Sequence, residues 1–150
     1  METVYIAPNA VVVGDVKLGN DVNIWYGAVL RGDAGTITVG AGTNVQDNAV
    51  LHEQTTVGEY CTIGHGAIVH GCSVGNNCLI GMGSVILDGA VLGDNCVVGA
   101  GAVVTGKMNA PAGSLLLGSP AKIVKELTQE QIDHQREMAQ QYIERAKKAW

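Results

Sequence analysis

The chain has 150 residues, which is enough for one domain with a buried core. Only 15% of the residues are charged, 47% are hydrophobic, and there are 21 Gly and no Phe, so the core must be built from aliphatic and small side chains. A formal net charge of -5 offers no basic surface, and we therefore exclude nucleic acid and acidic membrane surfaces as partners.

Aliphatic residues recur every six positions along most of the chain, often with a small residue four positions later. A period of six matches neither a helix nor a simple strand, but it fits a triangular solenoid with one short strand on each of three faces. We therefore predict an all-β fold over residues 1–106, a parallel β-helix of about six coils, each roughly 18 residues long. The repeated aliphatic positions are Ile6, Val12, Leu18, Ile24, Leu30, Val39, Val45, Leu51, Val57, Ile63, Val69, Val74, Ile80, Ile86, Leu92, Val98 and Val104.

The repeat changes phase at two places. The interval from Leu30 to Val39 is three residues longer than the repeat, and the interval from Val69 to Val74 is one residue shorter. Insertions and deletions in a regular solenoid are the places where its surface departs from the prism, and such departures often carry function. Both changes of phase lie close in sequence to a cluster of histidines.

The repeat is predicted to end after Val104. We expect a connector and coil end over residues 107–127 and a helix packed on the β-helix over residues 128–150, within a single domain. Thr128 and Gln131 form a capping-box pattern that predicts the start of this helix. The apolar residues of the helix fall on one side, so it is predicted to lie along the prism or along a neighbouring subunit. These residues are Ile132, Ala139, Tyr142, Ile143 and Ala146.

The location and redox state follow from the start of the chain and from its cysteines. The acidic start at Met1 and Glu2 gives no secretory signal, and the uncharged stretch 61–86 is interrupted too often by Gly, Asn, His and Ser to form a membrane helix. The four cysteines form no CxxC pair, which favours reduced thiols in a cytoplasmic protein. They are Cys61, Cys72, Cys78 and Cys96.

Three histidines form the candidate site. His52 and His70 are separated by one full coil of the predicted solenoid, and each follows an inward aliphatic, so they are predicted to stack and to converge on one metal ion. His65 lies on the preceding face, which suggests that a second subunit supplies it. A single histidine on a solenoid is usually a solvated surface residue, and His134 on the helix is interpreted in that way. Two histidines in register with a third nearby favour a metal site.

Four motifs resemble the γ-class carbonic anhydrases and their bacterial homologues over nearly the whole chain. They are RGD at 31–33, NVQDNAVLH at 44–52, IGHGAIVHG at 63–71 and GMGSVILDGA at 81–90. The resemblance implies a left-handed β-helix closed by a C-terminal helix and assembled as a homotrimer. It also implies a metal at each subunit interface, bound by His52 and His70 of one chain and by His65 of its neighbour.

The same resemblance implies the chemistry of the site. Zn²⁺, with Fe²⁺ or Co²⁺ as alternatives, would lower the pKa of a bound water, and the resulting hydroxide would attack CO₂ to give bicarbonate. Gln46 would hydrogen-bond the water or the bicarbonate, and Tyr142 would border the site. Arg31, Asp33 and Asp47 would form its polar surroundings and subunit contacts.

The sequence departs from this family pattern in its acidic residues. Ala34 stands where some members carry Glu, and the acidic loop that follows the first histidine is reduced to residues 53–56. Those groups carry protons in the fully active enzymes, so Glu53 is the remaining candidate for that task.

Two other functions stay open. The repeat and the GSPAK turn at 118–122 also resemble acyltransferases that use acyl-CoA, which typically employ one histidine as a general base. A structural or assembly protein could also keep the metal site without activity. The other site residues have structural interpretations as well. Arg31 and Asp33 could form only a salt bridge, Gln46 and Asp47 could be turn residues, and Tyr142 could pack the helix.

Overall fold

The computed structural model describes residues 3–150, which form eighteen strands and one helix. Most neighbouring strands pair in parallel at an offset of one coil, as in Val50↔Ile68 and Val85↔Val103. The strands are β1 Tyr5–Ile6, β2 Val11–Leu18, β3 Asn23–Ile24, β4 Val29–Val39, β5 Asn44–Val45, β6 Val50–His52, β7 Thr55–Val57, β8 Thr62–Ile63, β9 Ile68–His70, β10 Ser73–Val74, β11 Leu79–Ile80, β12 Val85–Ile86, β13 Val91–Leu92, β14 Val97–Val98, β15 Val103–Val104, β16 Asn109–Ala110, β17 Ser114–Gly118 and β18 Ala121–Glu126.

The strands form a left-handed β-helix of about six coils with three faces, as predicted. The first face contains β1, β3, β5, β8, β11, β14 and β17. The second face carries β6, β9, β12 and β15, and the third carries β7, β10, β13 and β16. The long strands β2 and β4 pass from the second face to the third, since β4 pairs with β6 at its start and with β7 at its end.

The repeated aliphatic residues form the core inside the prism. From Ile24 to Val104 all of these positions are buried, and the small residues at the corners fill the space between them. Stacking the coils removes this apolar surface from water, which is the main stabilising contribution. The first coil differs: Val12 and Leu18 are only half-buried and Ile6 is 40% exposed, because no other coil of residues 3–150 covers them.

The first change of phase is an outward bulge of β4. The register with β2 shifts between Gly14 and Val16, and with the next coil it changes from Val29↔Val50 to Ile37↔Thr55. The additional residues therefore leave the regular ladder at the corner between the second and third faces. Asp33 lies in this bulge.

The β-helix continues past residue 106, through residues 107–127, which the sequence predicted to be a connector and coil end. β16 pairs with β13 on the third face, β17 pairs with β14 on the first face, and β18 folds back antiparallel to β17. Ala110 and Leu116 continue the period of six and are buried. The pattern was hidden because Ala110 is small and because proline and glycine surround it.

The C-terminal helix α1, Gln129–Ala149, begins at the predicted capping box, in which the Thr128 side chain accepts from the Gln131 backbone and the Gln131 side chain accepts from the Thr128 backbone. It lies along the first face, in contact with β3, β5 and β8. Its buried side chains are Gln135, Ala139, Ile143 and Ala146. Within residues 3–150, this helix is not apolar enough to cross a membrane.

Aromatic and cationic contacts fix the helix along the prism. Near its start, the Arg136 guanidinium lies 3.5 Å from the centroid of the Tyr60 ring, a cation–π contact. Near its end, Trp150 and Tyr142 both pack edge-on against Trp25, with ring centroids 5.0 and 5.4 Å away. The helix therefore runs back along the coils, towards the N-terminal end of the prism.

Candidate metal centre

His52 and His70 lie side by side at the ends of β6 and β9. The two strands pair in parallel with His52 opposite His70, as the spacing of one coil predicted. Their ring centroids are 5.2 Å apart, and the nearest ring nitrogens, Nδ1 of His52 and Nε2 of His70, are 3.3 Å apart. Both side chains are half-buried, so they are held by the solenoid and remain accessible from its edge.

Each of these imidazoles is held from behind by a carboxylate. Nε2 of His52 lies 3.0 Å from Oδ1 of Asp33, and Nδ1 of His70 contacts Oδ1 of Asp88. An ionised carboxylate can only accept, so the ring nitrogen facing it carries the hydrogen and the other nitrogen presents a lone pair. The lone pairs of His52 Nδ1 and His70 Nε2 therefore face the same point.

This arrangement fits a metal ion. Two nitrogens bound to one zinc at ~2.0–2.1 Å in tetrahedral geometry lie about 3.3–3.4 Å apart. The separation between His52 and His70 matches that edge. Without a cation, two lone pairs at this distance would repel each other, unless one ring is protonated. Carboxylates that hold the far nitrogen of a histidine ligand are a common feature of metal sites.

Asp33 also forms an ion pair with Arg31. Nη1 of Arg31 lies 2.7 Å from Oδ2 of Asp33, while Oδ1 of Asp33 accepts from His52. The hydrogen bond from His52, together with the guanidinium of Arg31, holds the pKa of Asp33 below its ordinary value. The bulge of β4 thus places an ionised carboxylate beside His52.

His65 lies apart from this pair, in the corner that follows β8. Its Nδ1 lies 3.1 Å from Oδ1 of Asp47, one coil earlier, which leaves Nε2 without the hydrogen. Its side chain is half-exposed. Within residues 3–150, the one cluster of possible metal ligands contains His52, Glu53 and His70 but not His65.

Gln46 and Tyr142 lie with His65 and not with the other two histidines. All three line a groove of about 350 Å³ between the first face and α1, which Met82 and Met138 also line. Gln46 is buried, and its Nε2 donates to Oδ1 of Asn44 over 3.0 Å. The predicted site residues thus form two groups on one chain: Arg31, Asp33, His52 and His70 in the first, and Gln46, Asp47, His65 and Tyr142 in the second.

Asp88 was not predicted. It lies 18 residues after His70, just as His65 lies 18 residues after Asp47, but this coil is one residue shorter, so the register of β9 with β12 places Leu87 opposite His70. The spacing of 18 residues that paired the histidines would have found this carboxylate, which stands one residue past the position opposite His70. His134 is exposed on α1, as predicted.

Residues 1–32 and 71–106 match the model of the bacterial transferase hexapeptide family (six repeats). The chain is 48% identical to a Methanocaldococcus jannaschii protein described as a "Probable carbonic anhydrase", over 95% of this chain and 92% of that protein. It is 41% identical to the mitochondrial gamma carbonic anhydrase 2 of Arabidopsis thaliana, over 93% of this chain. The chain covers 54% of that plant protein's length.

Solved structures give the same fold. A hexapeptide transferase family protein from Anaplasma phagocytophilum is 43% identical, with a TM-score of 0.94 over 99% of this chain and 90% of that chain. A mutant of perosamine N-acetyltransferase from Caulobacter crescentus, in complex with CoA and GDP-perosamine, is 29% identical, with a TM-score of 0.76 over 83% of this chain and 58% of that chain. These two solved structures are named as transferases, whereas the sequence relatives above are named as carbonic anhydrases.

Proposed function

The chain belongs to the hexapeptide-repeat proteins of the γ-carbonic anhydrase type, and from this membership we propose that it catalyses the reversible hydration of CO₂ to bicarbonate. The reaction would use a divalent metal, with zinc first and iron or cobalt as alternatives. The observation that carries the proposal is the pair of lone-pair nitrogens on His52 and His70, 3.3 Å apart, each backed by a carboxylate. A bound metal would supply a Lewis acid that makes water nucleophilic near neutral pH.

The third ligand in this proposal is His65 of the partner subunit, in a homotrimer. Three features of the chain support it. His65 is too far from its own chain's pair to join the cluster, its Nε2 is left without the hydrogen by Asp47, and its side chain is half-exposed at a corner of the prism. Three histidine ligands would leave a coordination position open for substrate, as catalytic zinc sites require.

The remaining residues would hold the substrate and the ligands. Gln46 and Tyr142 border the groove beside His65, where an amide and a phenol can hydrogen-bond a bicarbonate oxygen. Asp33, Asp47 and Asp88 fix the ring orientation of the three histidines. The positive charge of Arg31 stabilises the ionised form of Asp33, so this carboxylate can accept the hydrogen bond from His52.

The test combines metal content with activity. Protein purified without chelator should contain about one metal ion per chain, and stopped-flow CO₂ hydration should exceed the metal-free baseline between about pH 6.5 and 9. His65→Ala should lose the hydration activity and hold its metal more weakly. His134→Ala is the matched control, since it removes an exposed histidine from α1, and it should retain both. A protein that contains metal but hydrates no CO₂ at any of these pH values would contradict the proposal and favour a structural or assembly protein without activity.

An acyltransferase is the second candidate. A CoA-bound acetyltransferase shares the fold, and the GSPAK turn at 118–122, which resembles acyltransferases that use acyl-CoA, closes the β17–β18 hairpin. A metal-free protein that transfers acetyl groups from acetyl-CoA to an amine would establish it and would contradict CO₂ hydration.

We also propose a cytoplasmic location. All four cysteines are buried and unpaired, which suits a reducing compartment.

A further inference from the structure

Glu53 directly follows His52 and lies beside the two histidines. Its Oε1 is 4.0 Å from Nδ1 of His52, the nitrogen that presents a lone pair. One ligand atom from each of His52, Glu53 and His70 falls within 4.8 Å of the others. The side chain is 36% exposed, so it bridges the half-buried rings and the solvent.

The backbone at Glu53 adopts a conformation that favours glycine. Its φ is +62°, in the left-handed region that costs energy for a residue with a Cβ. The equivalent positions of the next two coils are Gly71 and Gly89, with φ of +64° and +90°. A glutamate thus occupies a corner column in which the following coils use glycine. Strain of this kind is often retained where the side chain serves a site.

We propose that Glu53 is a third metal ligand from the same chain, so that a single protomer binds a divalent cation through His52, Glu53 and His70 before His65 of the partner subunit replaces the carboxylate. This inference rests on the proposed function in using the same pair of histidines and the partner's His65. Two imidazoles and one carboxylate are an established ligand set for Zn²⁺. Rotation of the flexible glutamate side chain would shorten the 4.0 Å separation to a ligand–ligand distance of about 3.3–3.4 Å.

The consequence is an order of events in which metal binding precedes assembly. A protomer with only two histidines would hold zinc weakly, whereas three ligands retain it until the partner's His65 arrives. After His65 replaces it, the Glu53 carboxylate stays beside the site, because Glu53 directly follows His52 in the chain.

The experiment measures Co²⁺ affinity by competition with a chromogenic chelator, together with the visible absorption of bound Co²⁺ as a report of its ligands. In a His65→Ala background, the chain should still bind one Co²⁺ per protomer. Adding Glu53→Gln to that background should weaken binding by at least about tenfold, since losing a ligand should cost no less than losing an outer partner. It should also change the Co²⁺ spectrum. Glu59→Gln in the same background is the matched control, because Glu59 is an exposed carboxylate at the next corner, and it should change neither readout.

A second variant separates ligand loss from misfolding. Glu53→Gly fits the left-handed backbone, so it should unfold at a temperature no lower than the parent chain while losing Co²⁺ affinity as Glu53→Gln does. Equal Co²⁺ affinities in His65→Ala with and without Glu53→Gln would overturn the inference. A His65→Ala chain whose Co²⁺ affinity is no higher than that of a His52→Ala chain would overturn it as well. The outcomes separate from those of the proposed function: a chain that binds Co²⁺ through Glu53 but never hydrates CO₂ would sink only the activity.

Discussion

Each of the three candidate ligands pairs with an aspartate about one coil away: His52 with Asp33, His65 with Asp47 and His70 with Asp88. The aspartates leave one nitrogen of each ring free to bind a cation, and they fix the direction in which that nitrogen points. Two of the pairs are 18 residues apart in sequence, and Asp33 and His52 are 19 residues apart. The site is therefore built by the coil length as much as by the histidines.

Replacing Asp88 with Asn should weaken metal binding by about 10–100-fold. The amide can either donate or accept, so it no longer forces the hydrogen onto Nδ1 of His70, and the nitrogen facing His52 is no longer held free. Asp88 is exposed, so the fold should not change. Equilibrium competition with a zinc chelator measures the affinity, and Glu137→Gln on the exposed side of α1 is the control. An unchanged affinity in Asp88→Asn would contradict this role.

At the scale of residues, the sequence predicted the contact of His52 with His70 and the separation of His65 from both. An offset of one full coil is enough for these predictions, because it places residues at the same position on successive coils. The contact of Asp33 with His52 could not be predicted from spacing, since the insertion changes the local offset. How far a bulge bends outward depends on packing at a corner, which the hexad pattern does not describe.

At the scale of elements, the bulge of β4 is the feature that brings Asp33 to the site. β4 pairs with β6 at a longer sequence offset than with β7, and residues 32–36 lie between these two registers. Deleting residues 34–36 would restore the interval of six from Leu30 to Val39. Asp33 would then have to turn the corner at once and would move away from His52.

This deletion should leave the β-helix folded and weaken its metal site. Shortening a surface loop should change the free energy of unfolding by less than about 1 kcal/mol, although Asp15 loses the hydrogen bond that the Thr36 hydroxyl donates to it. Zinc affinity should fall by about tenfold or more, because His52 loses its carboxylate. Urea unfolding and chelator competition give the two quantities. A fall in the free energy of unfolding as large as the fall in the free energy of zinc binding would mean that the bulge serves the fold and not the site.

A second feature of element scale is the column of cysteines at one corner of the prism. Cys61, Cys78 and Cys96 are stacked one coil apart, and Sγ of Cys78 donates to the Gly93 carbonyl oxygen over 3.2 Å. The neighbouring thiol of Cys61, together with burial, raises the pKa of Cys78 above its ordinary value of 9.0. The folded chain therefore keeps this proton at pH values where the unfolded chain releases it.

The Cys78 thiol should make the protein less stable in alkali. A raised pKa in the folded state contributes stability that is fully present below pH 9 and is lost as the pH rises further, with a slope of up to about 1.4 kcal/mol per pH unit for each such group. In Cys78→Ala the slope between pH 9 and 11 should be smaller by up to that amount, because alanine does not titrate and fills the corresponding buried position at another corner of the prism, as Ala49 and Ala67 do. Urea unfolding at fixed pH values measures it, with Ser84→Ala as the control. An unchanged slope would show that Cys78 does not titrate in this range.

At the scale of the whole molecule, the period of six predicted the solenoid and its number of coils, because only a three-faced coil buries one aliphatic residue in every six. It could not set the hand of the coil, since the same spacing fits a coil of either hand, and the left hand was implied by resemblance alone. The strands β16, β17 and β18 beyond residue 106 were not predicted. Ala110 buries too little surface to mark a hexad, and β18 reverses direction, which no period describes.

A metal site shared between subunits predicts complementation between two inactive variants. His65→Ala retains the pair of His52 and His70, whereas His52→Ala retains His65, and neither alone can complete a site that needs all three. When equal amounts are dissociated, mixed and reassembled, an interface is intact if one chain contributes the pair and its neighbour contributes His65. Random assembly in a ring gives about one quarter intact interfaces, the product of two chances of one half.

CO₂ hydration after limiting zinc is added should therefore recover to about one quarter of the parent activity per chain. Limiting zinc fills the tightest sites first, which are the intact interfaces, and leaves the weaker sites on the His65→Ala chains empty. Mixing His65→Ala with a chain that carries both His65→Ala and His52→Ala is the control, and it should recover nothing, because no chain in that mixture supplies His65. A site formed within one chain would give no recovery in either mixture. The separation of His65 from His52 and His70 on its own chain makes recovery the expected result.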